Sequence, residues 1–228
     1  MRHAIVAFVM LAVGCADVTE PYELDHARVI AVRTEPATLA PGEAGTVAVL
    51  VTGGDGPRVV PADGLAVTVP APLAPYVAVT RGPDGWTVVA PTAAQLAGLR
   101  AALGVPATEP AAVPLTITTT VDGVALVAHK WTVVDATAPN PTIAGVALDG
   151  VVAPVLRAAA GSTPRLSVTH DAGPAAVVRW LSSVGELAQY QSADATLDAA
   201  APARGAIVVV VRDARGGVAW QIVPAEVE

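Results

Sequence analysis

Residues 113–134, VPLTITTTVDGVALVAHKWTVV, contain two runs of alternating side chains that are separated by Asp122-Gly123. In residues 113–121 every second side chain is apolar or threonine, which is the period of a strand with one buried face. An Asp-Gly pair between two such runs is typical of a type I′ turn, because both central residues of that turn need a positive φ. The stretch therefore predicts a β-hairpin and places the chain in the all-β class.

The same alternation recurs along the chain in short runs between turn residues. Before the hairpin the runs are residues 28–33, 46–52, 65–69, 76–80 and 86–90. After it they are residues 142–148, 164–169, 177–182, 195–198, 207–212 and 218–223. Short strands at a spacing of about 8–12 residues indicate β-sandwiches. We predict two sandwich domains in tandem, residues 28–135 and 142–228, joined by the proline-containing linker 136–141.

One segment of the first domain, residues 92–104, departs from the strand pattern. It begins with Thr92, which favours the N-cap position, and ends at Gly104, which favours the C-cap. Three leucines share one helical face: Leu96, Leu99 and Leu103. The segment predicts a short crossover helix whose apolar face packs on the sheet.

The first residues have the composition of an export signal. Met1-Arg2-His3 is a short basic stretch, and residues 4–13 form an apolar run that suits a secretory signal but is too short to span a bilayer. Residues 11–15, LAVGC, resemble the lipobox of bacterial lipoproteins, although Ala12 replaces the usual leucine. The resemblance implies a signal peptide over residues 1–14 and a lipid, such as palmitate, on Cys15.

Three further features bear on this anchor. Cys15 is the only cysteine, so no disulfide forms within the chain. Residues 15–27 are acidic and without periodicity, which predicts a flexible tether behind the lipidated cysteine. Ala16 stands where an aspartate retains enterobacterial lipoproteins at the inner membrane. We therefore expect an exported protein of the cell envelope that is anchored at the outer membrane, on either its periplasmic or its surface face.

Composition excludes some partners. The 228 residues carry a net charge of −7 and a single lysine, so no basic stripe is available for nucleic acid. The same charge gives no attraction to anionic lipid, and the membrane link is expected to be the acyl chains alone. Hydrophobic residues make up 53% of the chain, and the excess comes from alanines and valines dispersed among glycine and proline rather than from one apolar segment long enough to span a bilayer.

The second domain resembles a known family of sandwiches. Residues 178–180 (VRW), 185–187 (GEL) and 210–218 (VVRDARGGV) follow the order of the PKD-like group of immunoglobulin-like domains. The start of the first domain, residues 28–36, is similar over a shorter stretch to immunoglobulin-like domains of bacterial envelope lipoproteins. The resemblance implies two immunoglobulin-like β-sandwiches, with Trp180 in a core, and a role in adhesion, spacing or surface assembly.

The residue types that carry chemistry in enzymes form no known pattern. His3, His26, His129 and His170 are neither spaced as zinc ligands on a helix nor close to the cysteine. There is no G-x-S-x-G motif, and the glycine-rich residues 53–56 are not followed by the lysine of a phosphate-binding loop. The recurrent Asp-Gly pairs are typical of turns. We predict no catalytic residue, no metal site and no cofactor.

One surface of the second domain is a candidate for binding a partner. If the strands at residues 177–182 and 207–212 are neighbours, alternation places six residues on the outer face: Val177, Arg179, Leu181, Val208, Val210 and Arg212. An apolar patch rimmed by charge marks a protein-binding surface. Two alternatives stay open, namely β propensity in a chain rich in alanine and valine, and contact with the first domain.

The sequence therefore favours a membrane-anchored, non-catalytic lipoprotein that acts as a structural spacer or protein-binding module. The alternative is a carbohydrate- or protein-binding accessory that positions a partner enzyme at the cell surface. Two or more solvent-facing, coplanar tryptophans would favour carbohydrate. An enzyme would need a cleft in which His129 or His170 meets a carboxylate and a nucleophile. The oligomeric state and the identity of the partner stay open.

Overall fold

The structure is a computed structural model that describes residues 20–228. The predicted signal peptide and Cys15 lie outside this range. Within it the chain forms strands, one α-helix and two short 3₁₀ helices at Ala62–Gly64 and Ala71–Leu73. No helix in this part of the chain is both long and apolar enough to cross a membrane.

The first domain is a sandwich of two antiparallel sheets. Its elements are β1 (Arg28–Glu35), β2 (Ala44–Thr52), β3 (Arg58–Val59), β4 (Leu65–Thr68), β5 (Ala78–Gly82), β6 (Gly85–Val89), α1 (Ala93–Leu103), β7 (Ala112–Val121) and β8 (Val124–Val133). One sheet has the order β1-β2-β6-β5, with β3 added to β2, and the other has the order β4-β7-β8. Without β3 the seven strands occupy the ABED and CFG positions of an immunoglobulin domain.

The second domain repeats this topology. Its strands are β9 (Ile143–Leu148), β10 (Val151–Val152), β11 (Leu156–Ala158), β12 (Arg165–His170), β13 (Val177–Ser182), β14 (Glu186–Ala188), β15 (Asp194–Asp198), β16 (Ala203–Arg212) and β17 (Val218–Val227). One sheet has the order β10-β9-β12-β15-β14, and the other β11-β17-β16-β13. The strand order again matches ABED and CFG, with β11 parallel to β17. The chain is thus all-β, with two immunoglobulin-like sandwiches in tandem.

The hairpin predicted at residues 113–134 is present. Strands β7 and β8 pair from Ala112 with Val133 to Val121 with Val124. Between them Asp122 and Gly123 have φ values of 52° and 78°, as a type I′ turn requires. The alternate side chains of β7 enter the first core, where Val113, Leu115 and Ile117 are fully buried.

The predicted helix is also present, on the connection between β6 and β7. The backbone N–H of Thr92 donates a hydrogen bond to Gln95 Oε1 over 3.0 Å, and Gly104 ends the helix in the left-handed region at φ 67°. Leu99 is fully buried, and Leu96 and Leu103 pack on the same core. The helix therefore covers the first core, as the leucine spacing indicated.

The second core is built around Trp180 on β13. Its side chain is fully buried, and its indole Nε1 donates a hydrogen bond to the Ser192 carbonyl over 2.9 Å. Three other large side chains of the same core are also fully buried: Leu166, Leu197 and Ile207. The placement of Trp180 follows the prediction.

The flexible-tether prediction for residues 15–27 needs correction where the structure describes the chain. Tyr22 and Leu24 are buried, and Tyr22 lies 5.5 Å from Tyr190 between ring centroids. The backbone around Glu23 runs parallel to the edge strand β13, with Leu24 N donating to Ser182 O and Ser182 N donating to Tyr22 O. This segment is therefore docked onto the second domain by two buried side chains and by backbone hydrogen bonds to β13.

Candidate functional site

The six residues predicted to share an outer sheet face do lie on adjacent strands. Strands β13 and β16 pair with Val177 opposite Arg212, Arg179 opposite Val210 and Leu181 opposite Val208. Their exposure, however, differs along the face. Leu181, Val208 and Val210 are 3%, 0% and 0% exposed, whereas Val177 is 56% exposed.

The first domain covers the apolar part of this face. We use the term junction cluster for seven buried residues: Leu24, Ala31, Leu50, Leu181, Val208, Val210 and Val218. The first three come from the first domain and its N-terminal segment, and the others come from the second domain. The structure thus corresponds to the interpretation of this patch as contact with the first domain, and Leu181, Val208 and Val210 are not accessible to a separate partner.

A β-bulge in β1 shapes the first domain's side of the junction. The register of β1 against β2 shifts between Val29 and Ala31. A bulge places two residues opposite one and interrupts the strict alternation of side chains. As a result the consecutive residues Ile30 and Ala31 both pack on the junction cluster, while Val29 and Val32 pack on the first core. Alternation read from the sequence does not reveal this arrangement.

Polar contacts complete the junction. Arg212 Nη2 donates to the Ile30 carbonyl over 3.2 Å, and the guanidinium of Arg33 lies 4.4 Å from the ring centroid of Trp220. In the linker, the amide of Asn140 donates to Thr34 O over 2.7 Å and accepts from Val218 N over 2.8 Å. The amide nitrogen of Asn140 therefore contacts the first domain and its amide oxygen contacts the second. The linker is thus part of the junction.

Lys130, the only lysine of the chain, lies in the same junction. It is 7% exposed, and its Nζ donates a short hydrogen bond to the Gly216 carbonyl of the second domain. Burial lowers the pKa of Lys130 to about 8, with Asp213 opposing the shift and Arg212 adding to it. The charged form is therefore less favourable in the folded protein than in the unfolded chain.

This shift predicts that stability rises with pH in a window above pH 8. Between about pH 8 and the ordinary pKa of 10.5 the unfolded chain binds more protons at Lys130 than the folded protein does. We expect the free energy of unfolding to increase by about 1–2 kcal/mol from pH 7.5 to pH 9.5. Urea unfolding of the native chain and of Lys130→Met at both pH values measures this increase in the free energy of unfolding. The variant is expected to lose the increase, and a flat native profile would contradict the prediction.

A groove runs along the junction on the side of β1 and β8. It has a volume of about 580 Å³ and is lined by residues 28–32 of β1, residues 126–131 of β8, and Arg212, Asp213, Gly216 and Val218 of the second domain. Three cationic side chains therefore border it: Arg28, Lys130 and Arg212. Asp213 is occupied by its own turn, since its carboxylate accepts from the backbone N–H groups of Arg215 and Gly217.

We use the term arginine cluster for Arg28 and Arg212, which line the groove, and Arg179, which lies opposite Val210 and diagonal to Arg212 on the outer face of β13 and β16. Burial lowers the pKa of Arg212, and the charge of Arg179 lowers it further. Burial also lowers the pKa of Arg28; Asp25 and Glu23 oppose that shift, and Arg179 adds to it. None of the ion pairs within residues 20–228 includes any of these three arginines.

The outer face of the β4-β7-β8 sheet was not among the surfaces predicted from the sequence. On it Val127 and Trp131 are 62% and 60% exposed, opposite Thr118 and Pro114 of β7. The alternation along the β7–β8 hairpin could have indicated this surface, because residues 127, 129 and 131 share one side of β8. The exposed pair gives the first domain an apolar surface that continues to the groove.

The histidines and tryptophans are the residues that would mark a catalytic or carbohydrate-binding site. His129 is exposed on β8, 3.3 Å from Thr116 Oγ1, and His170 Nδ1 accepts from Ala172 N over 3.3 Å. In the part of the chain that the structure covers, no three His, Cys, Asp or Glu side chains are grouped to hold a metal ion. Of the four tryptophans only Trp131 is exposed, because Trp180 is buried and Trp86 and Trp220 are half-buried.

Comparisons with known proteins give structural neighbours only. No protein-family model and no curated protein matches the chain. The Ig1-2 module of the Drosophila receptor protein tyrosine phosphatase DLAR is 12% identical, with 89% of this chain and 99% of that chain covered, at a TM-score of 0.35. The titin Ig tandem A164-A165 is 12% identical, with 89% and 98% covered, at 0.30.

A third neighbour, the N-terminal eight Ig domains of the Down syndrome cell adhesion molecule, is 15% identical at a TM-score of 0.31. The match covers 89% of this chain, which spans 25% of that one. All three are tandem arrays of immunoglobulin domains. Their TM-scores are too low to support a statement about how the two domains of this chain are arranged. The assignment of the fold accordingly rests on the strand order of the two sandwiches.

Proposed function

We propose that this protein is an envelope lipoprotein, anchored through a lipid on Cys15, that acts without catalysis as a structural spacer and protein-binding module. The observation that carries the proposal is the packed junction, in which Leu181, Val208 and Val210 of the second domain are buried against the first. Buried apolar contact resists bending between domains. Two domains held in one orientation suit a spacer better than two domains on a flexible linker do.

The position of residues 20–24 adds to the proposal. Only four residues lie between Cys15 and Glu20, so the two are at most about 18 Å apart in an extended chain. Tyr22 and Leu24 are docked beside β13 at the junction. A lipid on Cys15 would therefore hold the junction, rather than the far end of the first domain, close to the membrane surface.

The second candidate function is an accessory that binds carbohydrate or protein and positions a partner enzyme. The exposed Trp131 and Val127 support protein binding within this alternative, because they form an apolar surface on a flat sheet face. Carbohydrate binding receives less support, since the other three tryptophans are buried or half-buried. Trp86, for example, donates its indole N–H to the carbonyls of Ala62 and Leu65.

Replacement of the proposed acylation site tests the anchor. In Cys15→Ser we expect the loss of labelling by radioactive palmitate and a shift of the protein from the membrane fraction to the soluble fraction. The physical reason is that the acyl chains supply the membrane affinity, and a hydroxyl does not form the thioether that carries them. Fractionation and labelling of cells that express the full chain measure both effects.

Ala16→Ser is the matched control, because it introduces the same side chain one residue later and keeps the cysteine. It is expected to remain labelled and membrane-bound. The proposal of a lipid anchor fails if Cys15→Ser stays in the membrane fraction to the same extent as Ala16→Ser.

A further inference from the structure

The groove along the junction has a charge opposite to that of the molecule around it. The chain as a whole has a net charge of −7, yet Arg28, Lys130 and Arg212 line the groove. Asp213 is the one acidic residue among the lining side chains, and its carboxylate is already bound within its turn. A local cationic field on an acidic protein favours an anionic ligand at that place.

Within residues 20–228 the negative charges of Asp25 and Glu23 act on Arg28, but no acidic group acts on Arg212. Arg179 is exposed and close enough to Arg28 and Arg212 to lower the pKa of both. Within residues 20–228 Arg28 Nε is buried without a hydrogen-bond partner. The other nitrogens of Arg28 donate only to the Pro21 and Glu23 carbonyls. A carboxylate in the groove would reduce the repulsion among these guanidinium groups.

The shape of the groove favours an extended chain over a small ion. Its wall along β8 consists of residues 126–131, which span about 20 Å in a strand. Its volume of about 580 Å³ lies in the range of binding pockets. Between the cations the lining is apolar and includes Val29, Leu126 and Val127. A peptide that alternates acidic and apolar side chains matches both properties.

We propose that this groove binds an extended acidic segment of a partner protein, with its carboxylates on Arg28, Arg212 and Arg179 and its apolar side chains on β8. The inference deepens the protein-binding role proposed above and rests on it. It does not depend on the lipid, so the Cys15→Ser form of the full chain serves for its test.

The test measures fluorescence anisotropy of a labelled peptide of alternating glutamate and valine. We expect saturable binding that weakens at about 0.5 M salt, because screening reduces attraction between exposed charges. The same peptide with glutamine in place of glutamate is expected not to bind. In Arg179→Glu the new carboxylate competes for Arg28 and Arg212, and the affinity is expected to fall about tenfold or more.

Arg81→Glu is the matched control. Arg81 is exposed on β5 of the first domain and outside the groove, so this change alters the net charge equally and is expected to leave the affinity unchanged. Thermal unfolding of both variants shows whether they fold, and Arg179→Glu is expected to be at least as stable as the native chain because it relieves repulsion.

Two outcomes would overturn the inference. One is equal affinity of the glutamate–valine peptide for Arg179→Glu and Arg81→Glu. The other is sedimentation of the protein with phosphatidylglycerol vesicles and no binding of the peptide, which would assign the cations to a membrane surface. Either result leaves the lipid anchor of the proposed function unaffected, whereas membrane retention of Cys15→Ser would contradict that anchor and leave the groove unaffected.

Discussion

Trp180→Ala is expected to lower the free energy of unfolding by about 3–5 kcal/mol. The side chain is fully buried at the centre of the second core, so its removal leaves a cavity that its neighbours on both sheets fill only in part. The substitution also removes the indole donor from the Ser192 carbonyl. Urea or thermal unfolding measures the loss, and the domain has no disulfide that limits it.

Trp131→Ala is the matched control, because it makes the same chemical change at a site that is 60% exposed. Its effect on stability is expected to stay below about 1 kcal/mol. Similar losses in the two variants would mean that Trp180 does not organise the core of the second domain.

Val208→Asp is expected to have the second large effect, about 3–5 kcal/mol, because it places an unpaired charge in the junction cluster. Val208 is fully buried opposite Leu181, and the aspartate can be hydrated only if the domains separate or the sheet opens. We expect one calorimetric transition in the native chain and two in Val208→Asp, and an increase in the radius of gyration from X-ray scattering.

Val151→Asp is the control for the added charge, since Val151 is 64% exposed on the second domain. This variant is expected to keep one transition and the native radius of gyration. A Val208→Asp protein that unfolds and scatters like Val151→Asp would show that the junction does not couple the two domains.

The hairpin and the helix were predictable because their signals are local. The alternation of residues 113–134 and the pair Asp122-Gly123 depend only on neighbours along the chain, as do the caps of α1 at Thr92 and Gly104. The preferred φ and ψ angles of these residues favour the turn and the helix caps directly, and both are present in the structure. The burial of Trp180 was implied by the resemblance of the surrounding residues to PKD-like domains.

The junction was not predictable to the same degree, because burial of a sheet face depends on what lies opposite. The sequence placed Leu181, Val208 and Val210 on one face and left open whether a partner or the first domain covers it. The answer depends on Leu24, on the bulge before Ala31 and on Asn140, which come from distant parts of the chain. No local pattern links these residues to β16.

Two β-sandwiches and the crossover helix could be predicted from the sequence alone, because short-range alternation and turn chemistry specify strands and their connections, and the resemblance to PKD-like domains implied a central tryptophan. Three features could be seen only in the folded chain. Residues 20–24 are docked on β13, and the first domain covers the outer face of β13 and β16. The arginine cluster combines residues of both domains. These features arise from packing between residues far apart in the chain, and the residues next to each of them in the sequence do not indicate which distant side chains it contacts.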